Sequence, residues 1–342
     1  MPQGSKKAGQ QSIYFENPPV ITNWASIVGP MEGQGPYGRE FDWVLEDYLF
    51  GEQSWEKAEA KMLRETVKLV ARKAQLSLDQ VEVFLAGDLL NQIISANFAA
   101  RELKIPFLGL YGACSTMAEG LALGAMLIDG GFYQRLAVGV TSHHHTAERQ
   151  FRYPTEQGAQ RLPSSQWTVT GSGCLIMRRD GAGPRVTAAT VGKVVDLGQS
   201  DVNDMGAAMA PAAADTVIAH FRDTGRGPDY YDLIITGDLG KYGLALMASV
   251  CQKMGCCLGQ RISDCGVLIY DPSQDVHAGG SGCGCSAVML CGPLLDRMQA
   301  REYNRILLVG TGALMSTTSS LQGETIPCIA HAVAIENEPG EG

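Results

Sequence analysis

The chain predicts an α/β fold in which one unit occurs twice, giving two adjoining mixed sheets around central buried helices. Three observations carry that prediction. An apolar strand ending in Gly-Asp occurs twice, as Val83-Phe-Leu-Ala-Gly-Asp88 and as Leu233-Ile-Ile-Thr-Gly-Asp238. A small-residue turn opening an apolar helix also occurs twice, at Gly112-Ala-Cys-Ser115 and Gly284-Cys-Ser-Ala287. A further pair of apolar runs, Arg135–Gly139 and Arg305–Val309, comes after those helices. Long self-similarity of this kind fixes architecture before any single residue does.

Taken in order, Trp55, Ala58, Met62, Leu69 and Val70 recur at near-helical spacing and place a helix ahead of the first Gly-Asp strand. The two Gly-Asp strands are continuous apolar runs, the pattern of parallel strands covered on both faces. Ile105–Leu110 reads as the next strand, and Met117–Ile128 as a helix packed on both sides. The turn between them puts Cys114 at a helix N-terminus. There unpaired backbone N–H groups and the positive end of the dipole favour a thiolate or a bound anion. In the second copy Met205 to Phe221 supplies the leading helix, closed by Gly225-Arg-Gly-Pro228. Each copy reads helix, strand, strand, helix, strand. The units divide at residues 1–180 and 181–342, and the acidic tail from Glu336 to Gly342 has the composition of a disordered segment.

The copies differ in chemistry. After its last strand the first continues through the long polar run Val140-Thr-Ser-His-His-His-Thr-Ala-Glu-Arg-Gln-Phe-Arg152, whereas the second gives only Gly310 to Ser316. Ligand sites in open α/β sheets lie beyond the carboxyl ends of strands, so the site is expected on the first half, near Cys114.

Composition narrows the function. The chain has 342 residues, 45 % hydrophobic and 18 % charged, with a net charge of -9. That balance argues against non-specific nucleic-acid binding and against a basic membrane patch. No window reaches eighteen unbroken apolar residues, and Met1–Lys7 lacks a signal-peptide core, so a soluble chain with no transmembrane segment of its own is expected. Ten cysteines in so long a chain suit reduced packing thiols rather than a disulfide framework. The spacings of Cys251, Cys256, Cys257 and Cys265, and of Cys283 and Cys285, do not match common zinc sites, and no bound metal is expected. His143, His144 and His145 on an extended segment would point in opposite directions, which favours a solvated turn over a metal cluster.

With the repeat in view, the chain resembles the thiolase superfamily of condensing enzymes. Gly-Ala-Cys-Ser sits where those enzymes carry their nucleophile, and Thr170-Gly-Ser-Gly-Cys-Leu-Ile176 resembles the strand entry that comes next in them. His277-Ala-Gly-Gly-Ser281 partly resembles their second catalytic loop, and Cys328–Ile335 their closing strand. The resemblance implies a thiolase-like duplicated fold in α-β-α-β-α layers, often a homodimer. A closer resemblance is to the stage V sporulation protein AD family. It rests on the strings AGDLLNQ (86–92), IPFLGLYGACSTMAE (105–119), TAERQFRYPTE (146–156) and DVHAGGSGCGCSAV (275–288). That family implies binding of dipicolinic acid (pyridine-2,6-dicarboxylate) by a subunit of a spore membrane channel that loads the spore and releases the acid at germination. It also implies a cytoplasmic location peripheral to the forespore or spore inner membrane, with the other channel subunits as partners.

The residues permit two chemistries. Condensation needs a thiolate, an oxyanion stabiliser and an acid or base, for which Cys114, His277 and His331 are candidates. Against this, the glycine-rich loop offers Ser281 where many condensing enzymes have asparagine, and the histidine-proline pair of thiolases appears as His277-Ala278. Non-catalytic binding is the first reading. Cys114 and the N–H groups of Ser115 and Thr116 would hold one carboxylate, with His331, His277, Arg149 or Arg152 at the other end. A helix terminus gives up to about 2 kcal/mol and a charged donor about 1.5–3 kcal/mol, against about −4 kcal/mol for millimolar affinity. Asp88 would orient a cation or help hold calcium carried by the ligand; as the mate of Asp238 it has equal standing as a cap. No cofactor is expected.

Overall fold

The computed structural model describes residues 6–151 and 161–338. Each copy contributes five strands to one continuous sheet, which short strands at Lys7–Ala8, Ser12–Tyr14 and Trp43–Val44 extend. In the first they are β1 (Val20–Val28), β2 (Val83–Gly87), β3 (Phe107–Gly109), β4 (Arg135–Ser142) and β5 (Gly171–Arg178). In the second they are β6 (Arg185–Thr190), β7 (Leu233–Thr236), β8 (Ile262–Asp264), β9 (Arg305–Ala313) and β10 (Cys328–Glu336). Outward from the middle, the first copy runs β1-β5-β4-β2-β3 and the second β6-β10-β9-β7-β8. The orders match strand for strand. Parallel pairing joins β3, β2 and β4, and likewise β8, β7 and β9; antiparallel pairing joins the rest. A single register pair, Arg185 opposite Val20, links the two ladders.

The parallel strands are continuous apolar runs because helices cover them. The helix Trp55–Lys73 starts at Ser54, whose hydroxyl accepts from Lys57 N, and buries Ala58, Met62, Leu63, Val67 and Val70. The helix Met205–Thr224 starts at Asp204, ends at left-handed Gly225 (φ 70°) and buries an alanine-rich face. Two further helices, Ile94–Leu103 and Gly240–Lys253, pack beside them. They and the inner strands β1 and β6 are absent from the five-element reading of each copy.

Two helices pack between the two ladders. In Thr116–Asp129, Met117, Ala118, Leu121 and Ala125 are fully buried. In Cys283–Met289 all 7 residues are buried. Strand β9 presses on the turn before the first of these. A Cβ at Gly312 would lie 2.4 Å from the Gly112 carbonyl oxygen, so only glycine lets the strand pass there.

Two expectations need correction. Glu336 closes β10 opposite Arg185 and Arg305 and accepts from Tyr230 Oη at 2.8 Å, so ordered structure continues through it; residues 339–342 lie outside the described residues. The three histidines do not form a solvated turn. They open the helix His144–Phe151, where His144 stacks on Trp167 (3.6 Å between ring centroids) and His145 on Trp55 (4.6 Å). His143 is buried and bonds the Tyr48 carbonyl through Nε2. Burial pushes the His143 imidazole down to about 4, so it packs as a neutral ring.

Candidate functional site

A cavity of about 350 Å³ opens beside Cys114 at the carboxyl ends of β2 and β9. Both copies build its wall. From the first come Asp88 to Ile93, Tyr111, Ala113, Cys114 and, on the His144–Phe151 helix, Ala147, Glu148 and Phe151. From the second come Met205, Met209, Ser281 and Ala313 to Met315. The apolar lining joins two aromatic and three methionine side chains to leucine, isoleucine and alanine. Among the described lining residues there is no Lys, Arg or His.

The backbone around this cavity is bent hard. Gln92 (φ 59°), Ile93 (φ 45°) and Ala113 (φ 50°) are left-handed without being glycine. Such residues persist where surrounding structure over-determines them, and they cluster at functional sites. Ala113 lies in the 3₁₀ turn Ala113–Ser115, which sets Cys114 just ahead of the buried helix.

That turn spends its own donors. Ser115 N donates to Gly112 O at 3.0 Å and Ser115 Oγ to the same oxygen at 2.7 Å, while Thr116 Oγ1 and N both reach Ala113 O. Ser115 and Thr116 are fully buried and outside the cavity wall. Cys114 is half-buried and on the wall. Burial, then the Asp238 carboxylate and the Cys283 thiol, push its thiol well above the ordinary range, so the protonated form prevails despite the helix behind it.

Asp238 is the neighbour that matters, and the sequence reading used it only as the mate of Asp88. Its carboxylate accepts from Thr311 Oγ1 (2.7 Å), Gly282 N (2.8 Å) and Ser281 Oγ (3.3 Å), and burial raises it above the ordinary carboxyl range. Asp88 lines the cavity but serves its own loop, accepting from Leu90 N and Ala96 N at 2.7 Å each. Burial raises the Asp88 carboxyl; burial and the Asp88 charge together raise that of Glu59, which accepts from Thr146 Oγ1.

The remaining candidates lie elsewhere. Arg149 pairs with Glu56 and lies 5.3 Å from the Trp55 ring centre, off the cavity wall. His277 Nδ1 bonds Leu162 O at 2.7 Å, and its Nε2 lies 3.1 Å from Asp275. His331, opposite Gly310 in the β9–β10 ladder, accepts from Gly192 N at 3.2 Å, and burial holds it near 4. Neither histidine is on the wall. Arg152 lies outside the described residues. Among those described, no group of three or more His, Cys, Asp or Glu is arranged to hold a metal, and all ten cysteines are free. No helix among them is long and apolar enough to cross a membrane.

Comparison with known proteins supplies the family. The family model for Stage V sporulation protein AD matches residues 9–336. Stage V sporulation protein AD from Bacillus subtilis (strain 168) is 46% identical over 335 residues, covering 98% of this chain and 99% of that protein. The chain belongs to the Stage V sporulation protein AD family. That membership gives it a role in sporulation. Among solved structures, acetamide-bound OleA of Xanthomonas campestris aligns with a TM-score of 0.59 at 11% identity, over 95% of this chain and 100% of that one. The 3-oxoacyl-[acyl-carrier-protein] synthase III of Aquifex aeolicus VF5 aligns at 0.56 and 10% identity, over 93% and 99%. The fold of this family member is thiolase-like.

Proposed function

We propose that the protein binds dipicolinic acid in the cavity beside Cys114, as its calcium chelate, and serves as the ligand-binding subunit of a spore membrane channel. The single observation that carries the reading is the character of that cavity in a member of this sporulation family. Tyr111, Phe151 and the Met205, Met209 and Met315 side chains offer flat, polarisable surface to an aromatic ring. Asp88, Asn91, Gln92 and Glu148 add a rim rich in oxygen. A free dianion gains little from such a rim. The calcium chelate carries no net charge, and calcium takes six to eight oxygen ligands, some of them from the ligand itself. On this reading uptake and release are movements of a neutral complex into and out of a preformed hollow.

The competing reading is acyl-thioester condensation at Cys114, favoured by the fold and by the position of the thiol on the cavity. It lacks a histidine on the wall, and its thiol faces a carboxylate. Titration calorimetry with dipicolinate, with and without calcium, separates the two when paired with intact mass after exposure to acyl-coenzyme A. Saturable one-to-one binding, stronger with calcium, and an unchanged mass are expected. No saturable binding together with an acyl adduct on Cys114 overturns the proposal.

A further inference from the structure

The strand-to-helix turns of the two copies differ in length and in strain. After Asp238 the helix Gly240–Lys253 begins almost at once, and the left-handed position falls on a glycine, Gly240 (φ 65°). Asp264 takes the Leu239 and Gly240 N–H groups there. After Asp88 the helix Ile94–Leu103 is delayed by residues 89–93. In that loop two successive non-glycine residues, Gln92 (φ 59°, ψ 19°) and Ile93 (φ 45°, ψ 51°), are left-handed. For a β-branched residue this conformation is a steric outlier, so the loop needs partners to hold it. The second copy passes from strand to helix without such a loop, so the fold alone does not require it. Each of residues 89–93 lies on the cavity wall.

Three side chains hold the loop. Asp88 fastens its ends, accepting from Leu90 N before the bend and Ala96 N after it, at 2.7 Å each. Asn97 Nδ2 donates to Gln92 O at 2.6 Å. These two act from within the same segment. Gln150 reaches the loop from the helix His144–Phe151, and its Oε1 accepts the Asn91 N–H at 3.0 Å. A main-chain donor at that end of the amide fixes it as the oxygen; Nε2 then faces two acceptors, Leu89 O and Asn91 Oδ1, at 3.5 Å. Gln150 is itself off the wall. Its helix is secured to the helix Trp55–Lys73 by Thr146 Oγ1 on Glu59 (2.7 Å), the Arg149–Glu56 pair and the His145–Trp55 stack.

We propose that Gln150 is a positioning residue: by holding the Asn91 N–H it ties the strained turn to the helix His144–Phe151 and keeps these two walls of the cavity in their ligand-binding arrangement. The proposal rests on the binding reading above. Gln150 acts through Asn91 and Gln92 on one wall and through Ala147, Glu148 and Phe151, its neighbours on the helix, on the other.

Amide hydrogen exchange, read together with calorimetry on calcium dipicolinate, tests the tie. Gln150→Met keeps the length of the side chain and removes the acceptor, whereas Gln150→Glu keeps an acceptor for the Asn91 N–H. In Gln150→Met the Asn91 amide should exchange about fivefold faster, as loss of one hydrogen bond gives, while strand β2 keeps its wild-type rate. Affinity for calcium dipicolinate should fall by at least about threefold in the same variant. Gln150→Glu should return Asn91 exchange to within about twofold of wild type. Four results overturn the tie: unchanged Asn91 exchange in Gln150→Met, an equal rise in exchange along β2, no recovery in Gln150→Glu, or faster Asn91 exchange with an unchanged affinity. If neither wild type nor variant binds the chelate, while Asn91 exchange rises in Gln150→Met and recovers in Gln150→Glu, dipicolinate is refuted and the tie is supported.

Discussion

The two copies place the same parts at the same junction and use them differently. Cys114 precedes one central helix and Cys283 opens the other, and each lies within the field of the Gly-Asp aspartate of the opposite copy, Asp238 and Asp88. Cys283 is sealed, donating to Thr141 O at 3.0 Å with no exposure at all. Cys114 borders a hollow. The difference arises just beyond the fourth strand of the first copy, where the His144–Phe151 helix supplies one wall while Ala313–Met315 of the second copy closes the other. Each copy thus sets a thiol within the field of the opposite copy's aspartate, and the hollow borders only one of the two.

The equivalence of the central helices is tested by the largest effect. Leu121→Ala and Met289→Ala each remove a fully buried side chain and should each cost about 2–5 kcal/mol in urea unfolding. A loss confined to one of them would break the symmetry of the core. The next effect comes from an acid peculiar to the first copy. Glu32 is fully buried, accepts from Thr170 N (2.9 Å) and Tyr270 Oη, and burial lifts its carboxyl to about 7. Because the folded protein then binds the proton more tightly than the unfolded chain, the stability this group contributes is fully present below about pH 4.5. It should fall by about 3 kcal/mol as the pH rises to 7. Glu32→Gln should make unfolding stability fall less steeply from pH 5 to 8, leaving the part that Asp88 and Glu59 carry, whereas an unchanged slope assigns it to other groups. The smallest effect separates the thiols. Cys283→Ala should lower stability by about 1–2 kcal/mol and leave calcium dipicolinate affinity within about twofold. Cys114→Ala should weaken that affinity several-fold, in line with about 0.3–1.5 kcal/mol for a sulfur–aromatic contact. Equal effects on affinity would remove the distinction.

The frame was legible because buried parallel strands are written as apolar runs, and a run ending in Gly-Asp is easily seen twice. Strand β1 was harder to see, since Thr22 and Asn23 interrupt its apolar pattern where it is only half-buried. The helices Ile94–Leu103 and Gly240–Lys253 hide among alanines and mixed residues without a clear stripe. Long-range pairings were out of reach: Trp55 and Trp167, the partners that make His145 and His144 ring stacks, stand ninety and twenty-three positions away. Arg149 had its nearest acids in Glu148 and Glu156, yet it pairs with Glu56 on the neighbouring helix. For Asp238 a signal existed in the shared Gly-Asp. It went unused because the polar insertion drew the site wholly to the first half, whereas residues of both copies line the cavity.

The most direct measurement is a crystal structure of the protein with calcium dipicolinate. The account predicts one chelate in the cavity, its ring against Tyr111, Phe151 or the methionines and within about 4 Å of the Cys114 sulfur, the contact distance of packed groups, with no bond to it. A chelate bound elsewhere, or an empty cavity at saturating ligand, would contradict it.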